Sequence, residues 1–128
     1  MVELNDLSRV VIGAAIEVHR ALGPGLLENA YQKCLERELT LRRISFEAQV
    51  ELPVEYKGAQ LDCAYRLDLW VDRRLIVELK SIDSLAPVHQ AQILTYLRLT
   101  NSRLGLLINF NEALLKTGIR RIANKFQD

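Results

Sequence analysis

The middle of the chain alternates between apolar and polar residues with a period of two, and the stretches around it have a helical period. From Phe46 to Tyr56 every second residue is apolar, which predicts a half-buried strand. Pro53 interrupts this strand and indicates an edge position, a bulge or a kink. After a turn at Lys57-Gly58, further strands are predicted from Gln60 to Val71 and from Leu75 to Ser81. Together the three strands predict an antiparallel meander.

Three helices are predicted around the meander. Apolar residues recur at helical spacing after Asn5 or Asp6, either of which would cap the helix, and this helix should end at Gly23-Pro24-Gly25. A second helix is predicted from Leu26 to Arg42, and a third from Ala86 to Thr100 with a proline in its first turn. The expected core face of the third helix carries Val88, Ala91, Leu94 and Leu97 or Arg98.

The stretch from Leu104 to Phe110, LGLLINF, is continuously apolar over the length of a strand. Such a run is typical of a buried strand, and the crossover helix before it would place it parallel to Leu75–Leu79. The residues from Thr117 to Ala123 predict a last short strand, with Arg120 and Arg121 at its surface. The predicted fold class is therefore α/β: a mixed central sheet, made of an antiparallel three-strand meander, a crossover helix and a parallel strand, flanked by helices.

The segment from Arg66 to Lys80, RLDLWVDRRLIVELK, predicts the hairpin on which the functional argument depends. A three-residue loop at Asp72-Arg73-Arg74 sets a register in which Asp68 lies opposite Glu78. Side chains alternate along a strand, so one face should be apolar and the other should gather Asp68, Glu78 and Lys80. The predicted apolar face carries Leu67, Leu69, Leu75, Val77 and Leu79.

Two carboxylates opposed across a hairpin repel each other, and a divalent cation removes that penalty. Mg²⁺ binds carboxylate oxygens together with water and substrate phosphate, so Asp68 and Glu78 are candidate ligands. Lys80 would orient or deprotonate the attacking water, or stabilise the charge that develops on the phosphoryl group. This is the chemistry of metal-assisted phosphodiester hydrolysis. The alternative is a solvated sheet face with an ordinary pair of Glu and Lys.

The helices offer further candidates. Glu28 lies in the first turn of the second predicted helix, where its carboxylate favours the positive end of the helix dipole. Alternatively, Glu28 faces the charged side of the hairpin with Tyr31 and Gln32, which follow it at helical spacing. On the third helix, Gln92 and Tyr96 either make helix-to-sheet hydrogen bonds or bring Gln92 to the lysine, a metal-bound water or a backbone phosphate.

Composition narrows the class of protein. With 128 residues, of which 49% are hydrophobic and 26% charged, the chain predicts a single domain over residues 1–128 with an ordinary soluble composition. No apolar run would span a bilayer and the N-terminus lacks the pattern of a secretory signal, so a cytoplasmic protein is expected. Cys34 and Cys63 lack the spacing of a zinc site and are expected to be small buried residues.

The net charge of +1 gives no global attraction to nucleic acid. Any contact with phosphates must therefore come from local clusters of basic residues. The candidate clusters are Arg42-Arg43, Arg73-Arg74, and Arg120-Arg121 with Lys125. A solvated surface is the alternative interpretation of each cluster.

Short motifs along the chain carry a resemblance to a known family. Residues Gly25 to Tyr31, GLLENAY, match the motif that names the GxxExxY proteins. The elements that follow resemble the PD-(D/E)XK nuclease superfamily, with Asp68 at the strand aspartate and Glu78-Leu79-Lys80 at the ExK motif. Gln92 and Tyr96, in HQAQILTYL, resemble the helix glutamine and tyrosine that follow. One departure is the leucine before the aspartate, where the superfamily name has a proline.

The resemblance implies a restriction-endonuclease-like core and a Mg²⁺ site formed by Glu28, Asp68 and Glu78, in which Mn²⁺ would substitute. It also implies that the backbone carbonyl of Leu79 contributes to the metal site and that Lys80 acts on the water nucleophile. The implied catalytic residues are Glu28, Asp68, Glu78, Lys80 and Gln92, with Tyr31 and Tyr96 as accompanying residues of the site.

Two functions from different classes follow from these observations. The first is a metal-dependent phosphodiesterase that acts on DNA or RNA. The second is a catalytically silent module with a nuclease fold that binds nucleic acid or a protein partner. The opposed acids beside a lysine favour the first, because a module without catalysis has no need to keep them. A homodimer formed through the N-terminal helices or an edge strand is a further expectation.

Overall fold

The computed structural model describes residues 2–125, apart from the side chain of Cys63. The elements are α1 (Leu4–Leu22), α2 (Glu28–Leu41), β1 (Phe46–Tyr56), β2 (Ala59–Val71), β3 (Leu75–Lys80), α3 (Pro87–Thr100), β4 (Leu104–Asn109) and β5 (Ile119–Ala123), with a short 3₁₀ turn (Leu115–Gly118) before β5. The strands form one sheet in the order β1-β2-β3-β4-β5, in which only the β3–β4 pair is parallel. The predicted α/β class, with its meander, crossover helix and parallel strand, is confirmed.

The second helix begins two residues later than predicted, at Glu28 rather than Leu26. Leu27 keeps an extended backbone, with φ −71° and ψ 149°, and serves as the N-cap. The amides of Ala30 and Tyr31 both donate to the carbonyl of Leu27, at 3.0 and 3.4 Å. Glu28 is therefore the first helical residue and lies at the positive end of the helix dipole.

The first helix begins earlier than predicted, at Leu4, with Glu3 in the cap position instead of Asn5 or Asp6. The amide of Leu7 donates to the carbonyl of Glu3 at 2.9 Å. Asn5 and Asp6, the predicted caps, therefore lie inside the first helical turn.

Two hydrophobic clusters lie on opposite faces of the sheet. The larger cluster joins α1 and α2 to one face, and the smaller cluster joins α3 to the other. On β3, Leu75 and Val77 belong to the α1/α2 cluster, whereas Ile76 lies under α3. The second face of the hairpin is thus apolar near the turn and becomes polar only from Glu78 onward, so a wholly charged face was a wrong expectation.

Leu67 packs with α3 and not, as predicted, in the cluster that contains Leu69. The same change of face occurs on β1, where Ala48 packs against the α1/α2 cluster and Val50 against the α3 cluster. Gln49 between them has a left-handed backbone with φ 52°, which breaks the two-residue alternation. Since Ala48 pairs with Leu69 and Val50 with Leu67, the irregularity lies level with the candidate aspartate.

The third helix shows only part of the predicted core face. Leu97 is buried and Leu94 packs against the α3 cluster, as predicted, whereas Val88 is 67% exposed and Ile93 and Tyr96 are buried as well. The helix approaches β4 closely: a Cβ atom at Gly105 would lie 2.8 Å from Cγ2 of Ile93 and 3.5 Å from Cδ2 of Leu97. Because glycine leaves this space free, the Ile93 and Leu97 side of α3 packs most closely on the sheet.

The structure also tests the predictions for the cysteines and for the arginines of the last strand. Cys34 is half-buried against the α1/α2 cluster, while the burial expected for Cys63 lies outside the described residues. Arg120 and Arg121 are exposed on β5, as predicted. Within the described part of the chain, none of the helices is both long enough and apolar enough to cross a membrane.

Candidate metal centre

The candidate site lies where β2 and β3 separate. The predicted register is confirmed by three consecutive pairs, Leu69 with Val77, Trp70 with Ile76, and Val71 with Leu75. Beyond them, the amide of Asp68 donates to Oε1 of Glu78 at 2.7 Å, and the amide of Leu79 donates to Oδ2 of Asp68 at 2.8 Å. Two carboxylates thus accept the hydrogen bonds that backbone carbonyls would accept in a continued ladder.

Glu78 is 5% exposed and has the most strongly shifted pKa of the site. Burial and, next, the charge of Asp68 raise the pKa of Glu78 to about 8, and Glu28 adds to the rise. The amide of Asp68 and the charge of Lys80 act in the opposite direction. Without a cation, the site therefore favours a proton on this carboxyl group at neutral pH.

Burial also raises the pKa of Asp68, although the Leu79 amide and the charge of Lys80 partly offset the rise. The charge of Asp68 also raises the pKa of Glu78, because the two carboxyl groups repel each other when both are ionised. The pair therefore favours one added positive charge, which a proton or a cation can supply.

Glu28 lies on the same side of the sheet end as this pair. Burial raises the pKa of Glu28, the charge of Asp68 raises it further, and the charge of Lys80 lowers it. Lys80 is half-buried at the last position of β3 and its charge acts on all three carboxyl groups. The structure therefore brings together the three acids and the lysine that the sequence singled out.

Tyr31 lies behind this group and not within it. Its ring is fully buried and stacks on Phe110 with 4.4 Å between the ring centroids. Its hydroxyl donates to the carbonyl of Gly23 at 2.5 Å and accepts from the amide of Leu26 at 3.1 Å. Tyr31 therefore fixes the loop that leads into α2 and so sets the position of Glu28.

Gln92 and Tyr96 border the site on the α3 side. Tyr96 is buried, and burial together with the charges of Glu78 and Asp68 raises the pKa of Tyr96 to about 12. Gln92 hydrogen-bonds to the Tyr96 hydroxyl, and the Tyr65 ring lies edge-on at 5.6 Å. Tyr96 thus keeps its proton at neutral pH and can serve as a hydrogen-bond donor.

The donor set fits a divalent cation held by two carboxylates. Within residues 2–125, no three His, Cys, Asp or Glu side chains form a group that could hold a metal ion, so Glu28 does not complete a three-acid cage. Mg²⁺ is commonly bound through one or two carboxylates, with water and substrate phosphate as the remaining ligands. Asp68 and Glu78 meet that requirement, since each is oriented by a backbone amide and a cation would relieve their repulsion.

A family model described as the PD-(D/E)XK nuclease superfamily matches residues 5–122. The chain belongs to the PD-(D/E)XK nuclease superfamily. The match spans both helices before the sheet, all five strands and the crossover helix. The narrower GxxExxY resemblance stays a prediction.

The fold is similar to that of a solved structure. The crystal structure of SSO0001 is similar with a TM-score of 0.56 and 20% sequence identity. The match covers 77% of this chain and 50% of the solved chain, so this chain spans about half the length of that relative. No curated protein matches the sequence.

Two glutamines support the superfamily aspartate, and the sequence argument missed one of them. Gln32 donates to the carbonyl of Asp68 at 3.4 Å, and Gln49 donates to Oε1 of Gln32 at 2.8 Å. Gln49 looked like an ordinary exposed residue of an alternating strand. A correct prediction of the β1–β2 register would have identified Gln49. Its neighbours Ala48 and Val50 pair with Leu69 and Leu67, so Gln49 lies opposite Asp68.

Proposed function

We propose that this chain is a Mg²⁺-dependent nuclease that hydrolyses phosphodiester bonds of nucleic acid. The observation that carries the proposal is the interlocked pair of Asp68 and Glu78, each bound to a backbone amide of the opposite strand at the point where the ladder stops. Two acids with raised pKa values at a separated strand end oppose folding. A metal-binding role accounts for their retention, and superfamily membership supports it.

Asp68 and Glu78 would hold the ion directly, with the backbone carbonyl of Leu79 as a further oxygen ligand. Bound Mg²⁺ supplies charge neutralisation at the phosphoryl group and lowers the pKa of coordinated water. Glu28 would contribute through a water ligand of the ion, since it forms no three-carboxylate group with the other two acids. This arrangement leaves coordination positions for substrate phosphate.

Lys80 and the α3 residues would act on the water nucleophile and the substrate. The Lys80 ammonium lies in the field of three carboxylates, where it can orient the attacking water and stabilise developing negative charge. Tyr96 keeps its proton at neutral pH, and its hydrogen bond orients the Gln92 amide. Gln92 would then hydrogen-bond to the water or to a phosphate oxygen.

Metal binding tests this function without a choice of substrate. Mn²⁺ binding to the purified protein should be measured by calorimetry, up to millimolar concentration, together with Asp68→Asn and Glu78→Gln. We expect saturable binding that each substitution weakens more than about tenfold, because each removes a direct ligand. The matched control is Asp72→Asn, an acid on the turn of the same hairpin, which should bind Mn²⁺ like the original protein.

Saturable Mn²⁺ binding that survives both substitutions would place the ion elsewhere and contradict the proposed site. Absence of binding at every concentration would favour a catalytically silent module. A homodimer stays a prediction, which sedimentation of the purified chain would test. Whether the substrate is DNA or RNA is a further comparison for cleavage assays.

A further inference from the structure

A cleft rich in basic residues lies at the end of the sheet opposite to the candidate metal centre. Its cavity of about 410 Å³ is lined by Arg98, Asn101, Ser102, Arg103, Asn124 and Lys125. These residues come from the last turn of α3, the loop into β4 and the segment after β5. The lining holds three cations and no acid.

The cations of this cleft have no acid partner among the described residues. Arg98, Arg103 and Lys125 form no ion pair with a carboxylate inside residues 2–125. By contrast, Arg73-Arg74, one of the clusters singled out in the sequence, is paired with acids at 2.7 and 2.8 Å. In a chain of net charge +1, three unpaired cations in one cleft produce a local positive potential that attracts anions.

Hydrogen bonds hold the wall of the cleft together. Ser102 accepts a hydrogen bond from Thr100 at its Oγ, at 2.8 Å, and another from Asn124 Nδ2 at its carbonyl, at 3.0 Å. The amide of Asn124 donates to the carbonyl of Arg103 at 2.8 Å. The α3–β4 loop and the end of β5 are therefore joined, and the cations are carried on a defined wall.

The cleft continues into a second cavity of about 380 Å³, which shares Asn101, Ser102 and Arg103 and extends to Arg73-Arg74. Glu3 is the acid among its lining residues. The two cavities share three lining residues and each is several times the volume of one phosphate group, and most of their lining residues are polar. A chain of phosphates matches this shape and chemistry better than a single small anion or an apolar ligand.

The cleft is remote from the candidate metal centre. β3 and β4 run parallel from this end of the sheet, at Leu75 and Leu104, to the opposite end at Lys80 and Asn109. The five steps of about 3.3 Å along these strands separate their two ends by roughly 17 Å, and Glu78 lies three steps, or roughly 10 Å, from Leu75.

We propose that this cleft binds the phosphate backbone of a nucleic-acid strand as a second contact, separate from the site of hydrolysis. Arg and Lys side chains that neutralise phosphates release condensed counterions, which supplies affinity without base recognition. Membership of a nuclease superfamily makes nucleic acid the polyanion to test. The contact requires neither metal nor cleavage.

The test is fluorescence anisotropy of a labelled short DNA duplex with the full chain in EDTA, over a range of salt concentrations. The variant Arg98→Gln/Arg103→Gln should bind about tenfold more weakly at low salt, and the slope of log affinity against log salt should be smaller by about 1.5. The matched control, Arg9→Gln/Arg37→Gln, removes the same charge from α1 and α2 and should bind within about twofold of the original protein. Because the measurement is made in EDTA, binding in this assay does not depend on the proposed metal-dependent catalysis.

A charge-conserving variant guards against a folding defect: Arg98→Lys/Arg103→Lys should keep most of the affinity for DNA. Equal losses in the cleft variant and the α1/α2 control would overturn the proposal, because the effect would then be one of total charge. A second experiment measures the binding of inorganic pyrophosphate to the same variants. If pyrophosphate binds in the cleft while DNA affinity is the same with and without Arg98 and Arg103, the cleft takes a free anion and the nucleic-acid contact is wrong.

Discussion

The β2–β3 hairpin contains two parts that share one register but are held together differently. Near the turn, Leu69 to Val71 pairs with Leu75 to Val77 through backbone hydrogen bonds, and the leucine and valine side chains are fully buried. Farther from the turn, Asp68 and Glu78 reach across to the amides of the opposite strand. The first part resembles any buried ladder, whereas the second opens a gap lined by acids.

This difference separates stability from function along a single hairpin. Burial of apolar side chains and a continuous ladder stabilise the first part without any ligand. In the second part the charged forms of the acids are disfavoured, as the raised pKa values of Asp68 and Glu78 indicate. The separated end therefore carries two carboxyl groups whose charge a bound cation would compensate. The paired end keeps these two carboxyl groups opposite each other.

The largest expected effect is on catalysis at the separated end. In the proposed mechanism, Lys80→Met should lower cleavage of nucleic acid by about 10²–10⁴-fold, because it removes the group that we propose acts on the water. Mn²⁺ affinity should not fall, since Lys80 is not a proposed ligand. Single-turnover cleavage and calorimetry measure the two properties, with Lys33→Met on α2 as the control. Cleavage within about threefold of the original rate would remove Lys80 from the proposed mechanism.

The next effect is on stability at the paired end. Leu69→Ala should lower the free energy of unfolding by about 2–5 kcal/mol, because it leaves a cavity in the α1/α2 cluster. Urea denaturation measures the change, and Leu61→Ala, at an exposed position on the same strand, should change stability by less than about 0.5 kcal/mol. A small effect of Leu69→Ala would mean that the backbone hydrogen bonds of the hairpin, and not the burial of its side chains, stabilise the paired end.

A pH-dependent effect should follow from Glu78 in the metal-free protein. Its pKa is raised from 4.5 to about 8 in the folded state, so the folded protein binds more protons than the unfolded chain between these values. This contribution to stability is present below about pH 4.5 and is lost as the pH rises through about 8. Urea midpoints in EDTA at several pH values should show a loss of up to about 5 kcal/mol over this range that Glu78→Gln removes.

The control for this pH effect is Glu55→Gln, an exposed acid on β1, which should keep the pH dependence of the original protein. A difference between the original protein and Glu78→Gln that stays constant with pH would show that the Glu78 carboxyl group is not shifted. It would also remove the electrostatic distinction between the two parts of the hairpin.

The smallest expected effect concerns the support of the separated end from α2. Tyr31→Phe removes the hydrogen bonds to Gly23 and Leu26 while keeping the ring against Phe110, so stability should fall by about 1 kcal/mol. Thermal unfolding measures this change, and Tyr56→Phe at an exposed position should have no effect. Should Tyr31→Phe prove neutral, the tyrosine hydroxyl would not be what fixes the loop before Glu28.

Local sequence signals predicted the order of the elements and the register of the hairpin. The two-residue alternation of β1, the apolar run of β4 and the short turn between β2 and β3 each act over a few residues. The same short-range logic correctly placed Asp68 and Glu78 at opposed positions. The ExK spacing and the Gly25–Tyr31 motif then identified the acids that the fold brings together.

Packing between distant elements produced the differences. Leu67 packs on the α3 side, level with the left-handed backbone of Gln49 on the neighbouring strand, and no periodicity along β2 itself reveals this. The burial of Ile93 on α3 was missed, because it packs over Gly105, which belongs to a later strand. Tyr31 looked like a site residue by spacing, but its hydroxyl is engaged by the loop before the helix.

The α/β class, the strand order along the chain and the two central acids could be predicted from local signals, because turns and side-chain periodicity are local properties. Three features became visible only in the folded chain: the end of the β2–β3 ladder at those acids, the support of the aspartate by Gln32 and Gln49, and the basic cleft at the far end of the sheet. These features arise from contacts between elements far apart in sequence, whose geometry is set by the packing of the two helical layers on the sheet.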